Sequence, residues 1–178
     1  MTKTSFAKMN CAVAQTLERV GEWWTMLILR NAFCGMSRFD DFRDHLGIAS
    51  NILTLRLKKL TAAGILKKQR SANDARSFEY SLTSKGIELY PILIAMTDWG
   101  ERWASNPKGP RIIMLDKANK QAIARVAVYS SSGNVLQPKD IIARPGSGAG
   151  DDIRTLLQKD WRRTATDKPA KGRRHANR

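Results

Sequence analysis

Apolar residues in the first part of the chain recur with the period of an α-helix. Val13, Leu17 and Val20 fall on one face of a segment that is interrupted at Gly21, and this pattern predicts a first amphipathic helix. Residues 23–33 are almost continuously apolar, which predicts a central helix that is buried on most of its sides. The chain is therefore expected to begin with a helical core.

Two shorter helices, joined by a tight turn, are predicted next. The first begins at Ser37 or Arg38, runs to Leu46 and is closed by Gly47. The second spans residues 48–63 and has leucines on one side and polar residues on another. The polar residues are Ser50, Asn51, Thr54 and Lys58. Two short helices with a glycine turn between them, the second polar on its outer side, form the helix-turn-helix pattern.

A hairpin and a long helix follow. Extended runs at residues 65–69 and 77–82 flank a polar turn, which predicts a β-hairpin wing. Its basic residues are Lys67, Lys68, Arg70 and Arg76. Thr83 is expected to cap the next helix, which Pro91 should kink or divide. This helix has more apolar residues than one face can hold, which indicates a partner surface and most simply a second copy of the chain.

The rest of the chain has a different composition. Alternating apolar and polar residues within 111–145 predict two to four strands. The predicted fold class is mainly α with a small β-hairpin, a winged helix-turn-helix with a small β-rich extension. We predict a DNA-binding and dimerisation domain at residues 1–105 and the β extension at 106–150. Residues 151–178 are expected to form a short amphipathic helix, ending near residue 161, and a basic disordered tail.

Charge narrows the class of partner. The chain has 31 Lys and Arg against 16 Asp and Glu, a formal net charge of +15. Such an excess favours nucleic acid, or less often an acidic membrane surface. The 2 cysteines and 2 histidines offer no metal-ligand cluster, and the sequence shows neither a signal-peptide core nor a run of about 18 apolar residues. We expect a soluble cytoplasmic protein that uses no metal or cofactor.

The polar side of the second short helix has two interpretations. Polar residues opposite a leucine face usually form a solvated surface. In a helix-turn-helix they are instead placed to meet base edges in the major groove of DNA. Ser50, Asn51 and Thr54 are then the candidate base readers, and Lys58 is a candidate phosphate contact. Further phosphate candidates are Arg38, Lys67, Lys68, Arg70 and Arg76.

A series of motifs between residues 11 and 103 resembles the HxlR family of winged helix-turn-helix transcriptional regulators. In the family's order, the motifs are CAVAQTLERVGEWWTMLILRNAF, SRFDDF, LGIASNILTLRLKKLTAAGIL and FEYSLTSKGIELYPIL, followed by Trp99-Gly100. The resemblance implies a homodimeric DNA-binding regulator whose recognition helix spans residues 49–63. It also implies that the N-terminal helix and the long C-terminal helix form the dimer surface.

Two other classes of function can be weighed against a regulator. An enzyme would need a nucleophile, a base and an orienting group in one place, and the sequence has no such constellation and no glycine-rich phosphate loop. An architectural protein that binds nucleic acid without sequence preference fits the charge but has no need of a reading surface. The sequence favours a sequence-specific regulator on an inverted-repeat operator, with the architectural protein as the alternative.

The cysteines and tryptophans allow further predictions. Cys11 begins the first helix, where N-terminal amides and nearby Lys8 favour a thiolate. Some HxlR-like proteins carry a reactive cysteine at this position, so Cys11 is either a sensor of redox or electrophile signals or a packing residue. Cys34 is expected to be a small buried hydrophobe. Core positions are expected for Trp23, Trp24, Trp99 and Trp103.

Overall fold

The structure, a computed structural model, describes residues 5–71, 76–104 and 106–158. The chain forms two compact units, Met1–Ile141 and Ile142–Arg178. The larger unit is a winged helix-turn-helix, mainly helical with small antiparallel sheets, as the sequence predicts. It also contains most of the predicted β extension, and the domain boundaries at residues 105 and 150 stay predictions.

Helices build the first part of the larger unit. They are α1 (Ala12–Val20), α2 (Trp23–Phe33), α3 (Phe39–Leu46) and α4 (Ser50–Ala62). Each lies where the hydrophobic pattern predicts a helix. α3 ends at Gly47, whose φ of 60° is the left-handed conformation that glycine adopts without strain. This turn sets α4 against α3 as the second helix of the motif.

The leucines of α4 lie at the centre of the core. Leu53, Leu57 and Leu60 are at most 1% exposed, and they pack with apolar residues of α1, α2, α3, the turns on either side of α4, and the wing. Those residues are Val20, Ile28, Leu29, Phe42, Ile48, Ile65, Leu66 and Tyr80. Burial of one such leucine side chain contributes about 1.5–3 kcal/mol. The leucine face therefore fixes the rotation of α4 about its axis and leaves its polar residues at the surface.

A largely buried ion pair ties α4 to the start of α2. Arg56 Nη2 lies 2.8 Å from Glu22 Oε2, and the two side chains are only 12% and 28% exposed. Among the described residues, the buried Nε of Arg56 has no hydrogen-bond partner. A guanidinium in this position depends on its carboxylate, because an uncompensated buried charge is strongly destabilising. The pair therefore adds a polar constraint to the apolar packing of α4.

The wing is an antiparallel hairpin of β1 (Leu66–Arg70) and β2 (Phe78–Leu82). On the outer side of β2, the N–H of Tyr80 donates to the carbonyl of Ser37 at 2.8 Å. This bond attaches the segment before α3 to the edge of the hairpin, next to the antiparallel bridge between Arg38 and Glu79. Residues 72–75, in the predicted polar turn, lie outside the described residues.

The predicted long helix is two helices. Thr83 caps α5 (Ser84–Ile87), because its hydroxyl oxygen accepts a hydrogen bond from the Gly86 N–H at 3.1 Å. α6 (Tyr90–Trp103) has Pro91 in its first turn, where the missing N–H costs nothing. The prediction that Pro91 divides this helix is confirmed.

The extension after α6 is mostly irregular and contains one small hairpin. β3 (Val128–Tyr129) pairs antiparallel with β4 (Val135–Leu136). These two strands are the lower limit of the two to four that the sequence predicts. Gly133, in the turn between them, has a φ of 83°. Before the hairpin, Leu115 and Ala122 form an isolated antiparallel bridge.

The smaller unit contains α7 (Asp151–Gln158). Asp151 and Asp152 occupy its first turn, where carboxylates interact favourably with the helix dipole. The predicted amphipathic helix is confirmed over these residues, and its end and the basic tail, residues 159–178, lie outside the described residues. Within the described part of the chain, every helix is too short or too polar to cross a membrane.

Several side chains expected in the core are exposed in the single chain. Trp23 is 89% exposed, Trp99 59% and Trp103 71%, whereas Trp24 packs against the core. α2 exposes only the stripe formed by Trp23, Leu27 and Arg30, so the prediction that it is buried on most of its sides is confirmed. Cys34, which follows α2, is exposed as well. The prediction of a buried Cys34 is therefore wrong.

We expect Gly86→Ala to lower the free energy of unfolding by about 1–3 kcal/mol, the range for overpacking a tight site. A Cβ at residue 86 would overlap the carbonyl oxygen of Ile65 and crowd Leu82. Gly100→Ala is the matched control, because a Cβ at residue 100, within α6, meets no described atom within 4 Å. Gly100→Ala should leave stability unchanged or raise it by up to about 1 kcal/mol. Urea unfolding measures both, and equal effects would contradict the prediction.

Candidate nucleic-acid interface

A groove of about 370 Å³ lies where the helix-turn-helix meets the wing. Its walls come from the start of α3, the outer side of α4 and the wing. The lining residues are Arg38, Phe39, Asp40, Thr54, Lys68, Arg76, Ser77, Phe78 and Tyr80. The structure therefore brings four predicted DNA contacts, Arg38, Thr54, Lys68 and Arg76, into one concavity.

Arg38 connects the start of α3 to the wing. It is the N-cap residue of α3, and its backbone forms an antiparallel bridge with Glu79 of β2. The adjacent bond from Tyr80 to Ser37 strengthens the same connection. These two attachments give Arg38 a fixed backbone position at the edge of the groove.

The first two turns of α4 present exposed polar side chains. Oδ1 of Asn51 accepts a hydrogen bond from the Ile52 N–H at 2.9 Å. The hydroxyl of Thr54 donates to the carbonyl of Ser50 at 2.7 Å. The N-cap residue is Ala49, which has no polar side chain to cap the helix. The helix start therefore presents amide donors and the positive end of its dipole, an arrangement that favours anions.

Lys68 and Arg70 lie on an aromatic face of the wing. In the strand register, Lys68 is opposite Tyr80 and Arg70 is opposite Phe78. Lys68 Nζ is 3.9 Å from the ring centroid of Phe78 and 5.9 Å from that of Tyr80, and Arg70 Cζ is 5.7 Å from that of Phe78. Cation–π contacts at exposed sites contribute about 0.5–1 kcal/mol. The rings therefore restrain the positions of both cations.

Other predicted contacts lie outside this groove. Side chains alternate along a strand, so Lys67 is on the opposite face of β1 from Lys68. Ser50 and Asn51 are exposed at the start of α4, and Lys58 is exposed one turn beyond Thr54. Every predicted contact residue is exposed, and contact with DNA stays a prediction for each of them.

The carboxylates near the groove are paired with an arginine. Arg43 Nη1 lies 2.9 Å from Asp40 Oδ1, and Arg43 Nε lies 2.8 Å from Asp44 Oδ1. The hydrogen bond from Arg43 lowers the pKa of Asp44, and the same bond raises the pKa of Arg43. Asp40, which lines the groove, therefore faces a guanidinium that offsets its repulsion of an anion.

Sequence reasoning misses the other lining residues of the groove, Phe39, Asp40, Ser77, Phe78 and Tyr80. Phe78 and Tyr80 alternate along β2, and Lys68 and Arg70 alternate along β1. That combination could have indicated cross-strand cation–π pairs. The hairpin register that sets them opposite each other depends on the turn and cannot be read from one strand alone.

Cys11 lies on a different element, at the N-cap of α1. Its backbone is extended, its carbonyl accepts a hydrogen bond from the Gln15 N–H at 2.9 Å, and the residue is partly exposed. The same helix exposes Val13 and Leu17. A modification of Cys11 would therefore alter the surface at the start of an exposed apolar helix face.

Solved structures resemble this fold over most of the chain. PA1607, which is described as a transcription factor, superposes with a TM-score of 0.73 at 34% identity and covers 81% of this chain and 99% of its own. PA1374 from Pseudomonas aeruginosa, also described as a transcription factor, gives a TM-score of 0.58 at 32% identity and covers 83% of this chain and 100% of its own. Both matches are too long to be confined to the winged helix-turn-helix.

Sequence relatives point to the same family. The HTH-type transcriptional regulator Rv3095 of Mycobacterium tuberculosis is 31% identical over 77% of this chain and 87% of its own length. YdeP of Bacillus subtilis, another HTH-type transcriptional regulator, is 33% identical over 62% of this chain and 84% of its own. The model of the HxlR-like helix-turn-helix family matches residues 19–108, which contain the core and the groove. The chain therefore belongs to the HxlR-like helix-turn-helix family of transcriptional regulators.

Proposed function

We propose that the protein acts as a homodimer that inserts α4 into the major groove of an inverted-repeat operator. The observation that carries this proposal is the groove in which Arg38, Thr54, Lys68 and Arg76 converge from the helix-turn-helix and the wing. A cationic concavity beside an exposed helix N-terminus fits a phosphate backbone next to base edges.

Base reading is assigned to Ser50, Asn51 and Thr54, the exposed polar residues of the first two turns of α4. An amide side chain pairs with adenine through one donor and one acceptor. The Oδ1 of Asn51 has two lone pairs, so it can keep the Ile52 N–H and still accept from a base. Asn51 is therefore the residue that we expect to carry most of the sequence preference.

Phosphate contact is assigned to the basic residues around the readers. These residues are Arg38, Lys58, Lys67, Lys68, Arg70 and Arg76. Each neutralised phosphate releases condensed counterions, so binding should weaken steeply as salt is added. The formal net charge of +15 supports a strong contribution of this kind. This electrostatic contribution would be the same for every DNA sequence.

Dimerisation is assigned to the exposed apolar faces of α1 and α6. On α6, Ile92, Met96, Trp99 and Trp103 recur every three or four residues and are 44–71% exposed. Val13 on α1 is 67% exposed. Contiguous apolar surface of this kind marks an interaction site, and a second copy of the chain supplies a matching surface.

We also propose that Cys11 makes the dimer responsive to oxidants or electrophiles. Its partial exposure and its place at the N-cap of α1, the helix that exposes Val13 and Leu17, support this role because a reagent can reach the thiol beside that apolar face. Modification next to the dimer surface would change the angle between the two recognition helices and hence the affinity for DNA.

Asn51→Ala should weaken binding to the operator by about 1–3 kcal/mol and relax the preference at one base position, because a base-edge contact carries sequence information. Lys58→Ala should weaken binding to all sequences alike and reduce the salt slope by about 1 per subunit. Fluorescence anisotropy titrations on operator and random DNA at several salt concentrations measure both effects.

Asn51→Asp separates base reading from helix stability. An aspartate keeps an acceptor for the Ile52 N–H but removes the amide donor, so the fold should persist while the preference at that base is lost. If the Asn51 and Lys58 variants lose the same affinity on operator and on random DNA, the proposed orientation of α4 in the major groove is wrong. A competition assay tests the alternative function. If unrelated DNA displaces the wild-type protein from its own promoter fragment as readily as unlabelled promoter fragment does, the protein is an architectural binder.

Trp99→Asp should raise the dimer dissociation constant by at least about thirtyfold, because a tryptophan in the centre of an interface contributes about 2 kcal/mol or more. Val135→Asp, at an exposed apolar residue of β4, is the matched control and should change it little. Analytical ultracentrifugation measures the dissociation constant.

Footprinting should show half-sites about one helical turn apart, or a multiple of it. A monomeric wild type on an asymmetric site would refute the dimer.

Diamide, which oxidises two thiols to a disulfide, should change the DNA affinity of the wild type and of Cys34→Ser but not that of Cys11→Ser. Cys34→Ser is the matched control, because Cys34 is the more exposed of the 2 cysteines. Anisotropy measures affinity, and a non-reducing gel detects a covalent dimer. An equal response of the wild type and Cys11→Ser would make Cys11 a packing residue.

A further inference from the structure

A second cavity, of about 370 Å³, lies on the larger unit away from the groove residues. It is formed by the C-terminal half of α2, one face of α6 and the segment that follows α6. Its apolar wall consists of Phe33, Tyr90, Leu93, Ile94, Ile112 and Met114. The volume is at the lower end of the range of about 300–1,000 Å³ for small-molecule sites, which are mostly apolar with a few polar groups.

The polar and charged residues of the lining are Arg30, Cys34, Thr97, Glu101 and Arg111. Arg111 Nη1 lies 3.6 Å from Glu101 Oε2, which also accepts the Arg111 backbone N–H at 3.1 Å. Arg30 donates from Nε and Nη2 to Oδ1 of Asn31 at 3.0 and 2.9 Å. Asn31 is only 3% exposed. Arg30 is therefore oriented by a neutral acceptor, and the three charged groups that line the cavity leave one positive charge in excess.

The aromatic part of the wall spans two elements. The rings of Phe33 on α2 and Tyr90 on α6 have centroids 4.9 Å apart and planes inclined at 50°. Such tilted pairs contribute about 0.5–1.5 kcal/mol beyond the area they bury. This contact holds the two helices together at one side of the cavity, so the cavity is formed before a ligand enters.

We propose that this cavity binds a small amphipathic carboxylate. The carboxylate would meet Arg30 and Arg111, since guanidinium groups form charge-assisted hydrogen bonds with such anions. The apolar body would lie against Leu93, Ile112 and Met114. The single excess positive charge favours a monoanion, and the volume favours a compact molecule such as a fused-ring aromatic acid.

The position of the cavity on α6 links such a ligand to DNA binding. Tyr90, Leu93 and Thr97 face the cavity, whereas Ile92, Met96, Trp99 and Trp103 lie on the opposite face of the same helix. That opposite face is the proposed dimer surface. A ligand that moves α6 against α2 would therefore change the spacing of the two recognition helices. This regulatory consequence, unlike the binding site itself, rests on the proposed function.

Isothermal titration of the full chain with 1-naphthoate tests the site without DNA. We expect saturable binding of one molecule per chain, and binding of the neutral 1-naphthamide that is weaker by about tenfold or more, because it lacks the charge that the arginines recognise. Absence of saturable binding of 1-naphthoate, or equal binding of the two compounds, would overturn the proposal.

Variants locate the bound molecule. Arg30→Gln should weaken 1-naphthoate about tenfold and leave 1-naphthamide unchanged, while the charge-matched control Lys139→Gln should change neither. Met114→Trp, which fills the cavity from the extension side, should abolish binding of both compounds. Circular dichroism establishes that each variant is folded. Binding of 1-naphthoate that survives both Arg30→Gln and Met114→Trp would place it elsewhere and overturn the proposal.

Operator binding, measured with and without saturating 1-naphthoate, is a separate readout. A change in affinity that Arg30→Gln removes supports the regulatory link. Saturable binding of the acid to a protein that fails to recognise any operator would uphold the cavity as a site while refuting the proposed function. The two proposals can therefore fail independently.

Discussion

The burial of one leucine face of α4 is the constraint on which the rest of the molecule depends. Leu53, Leu57 and Leu60 have almost no exposed surface, so α4 cannot rotate without exposing them. The ion pair between Arg56 and Glu22 adds a penalty for the same rotation. The polar face of the helix is therefore directed outward by apolar packing, and no contact among the polar residues is needed to hold it there.

The same core also determines where the wing stands. Leu66 and Tyr80 are members of the core cluster, while Lys68 and Phe78, two residues along each strand, extend beyond it. One hairpin thus supplies packing at its base and positive charge farther out. The bond between Tyr80 and Ser37 connects this hairpin to the start of α3. The helix-turn-helix and the wing are therefore joined by a backbone contact as well as by the shared core.

Much of the fold follows from local signals. Leucine spacing predicts α4 and its polar face, Gly47 predicts the turn, and Pro91 predicts the break before α6, because each acts through its own backbone or period. Burial is different, since it depends on what packs against a residue. A continuous apolar run does not reveal which face of α2 meets the core, so the exposure of Trp23 and Cys34 was not predictable. The groove and the second cavity depend on hairpin register and on the path of the chain after α6.

The hydrogen bond from Thr54 to the carbonyl of Ser50 limits how this side chain could distinguish one base from another. Its only proton is committed to the helix backbone, so the hydroxyl can accept but not donate while that bond persists. Adenine and cytosine display an amino group in the major groove, whereas guanine displays only acceptors there. In the proposed complex, Thr54 would therefore accept a hydrogen bond from an amino-bearing base or touch the methyl group of thymine, and it would have no donor for guanine.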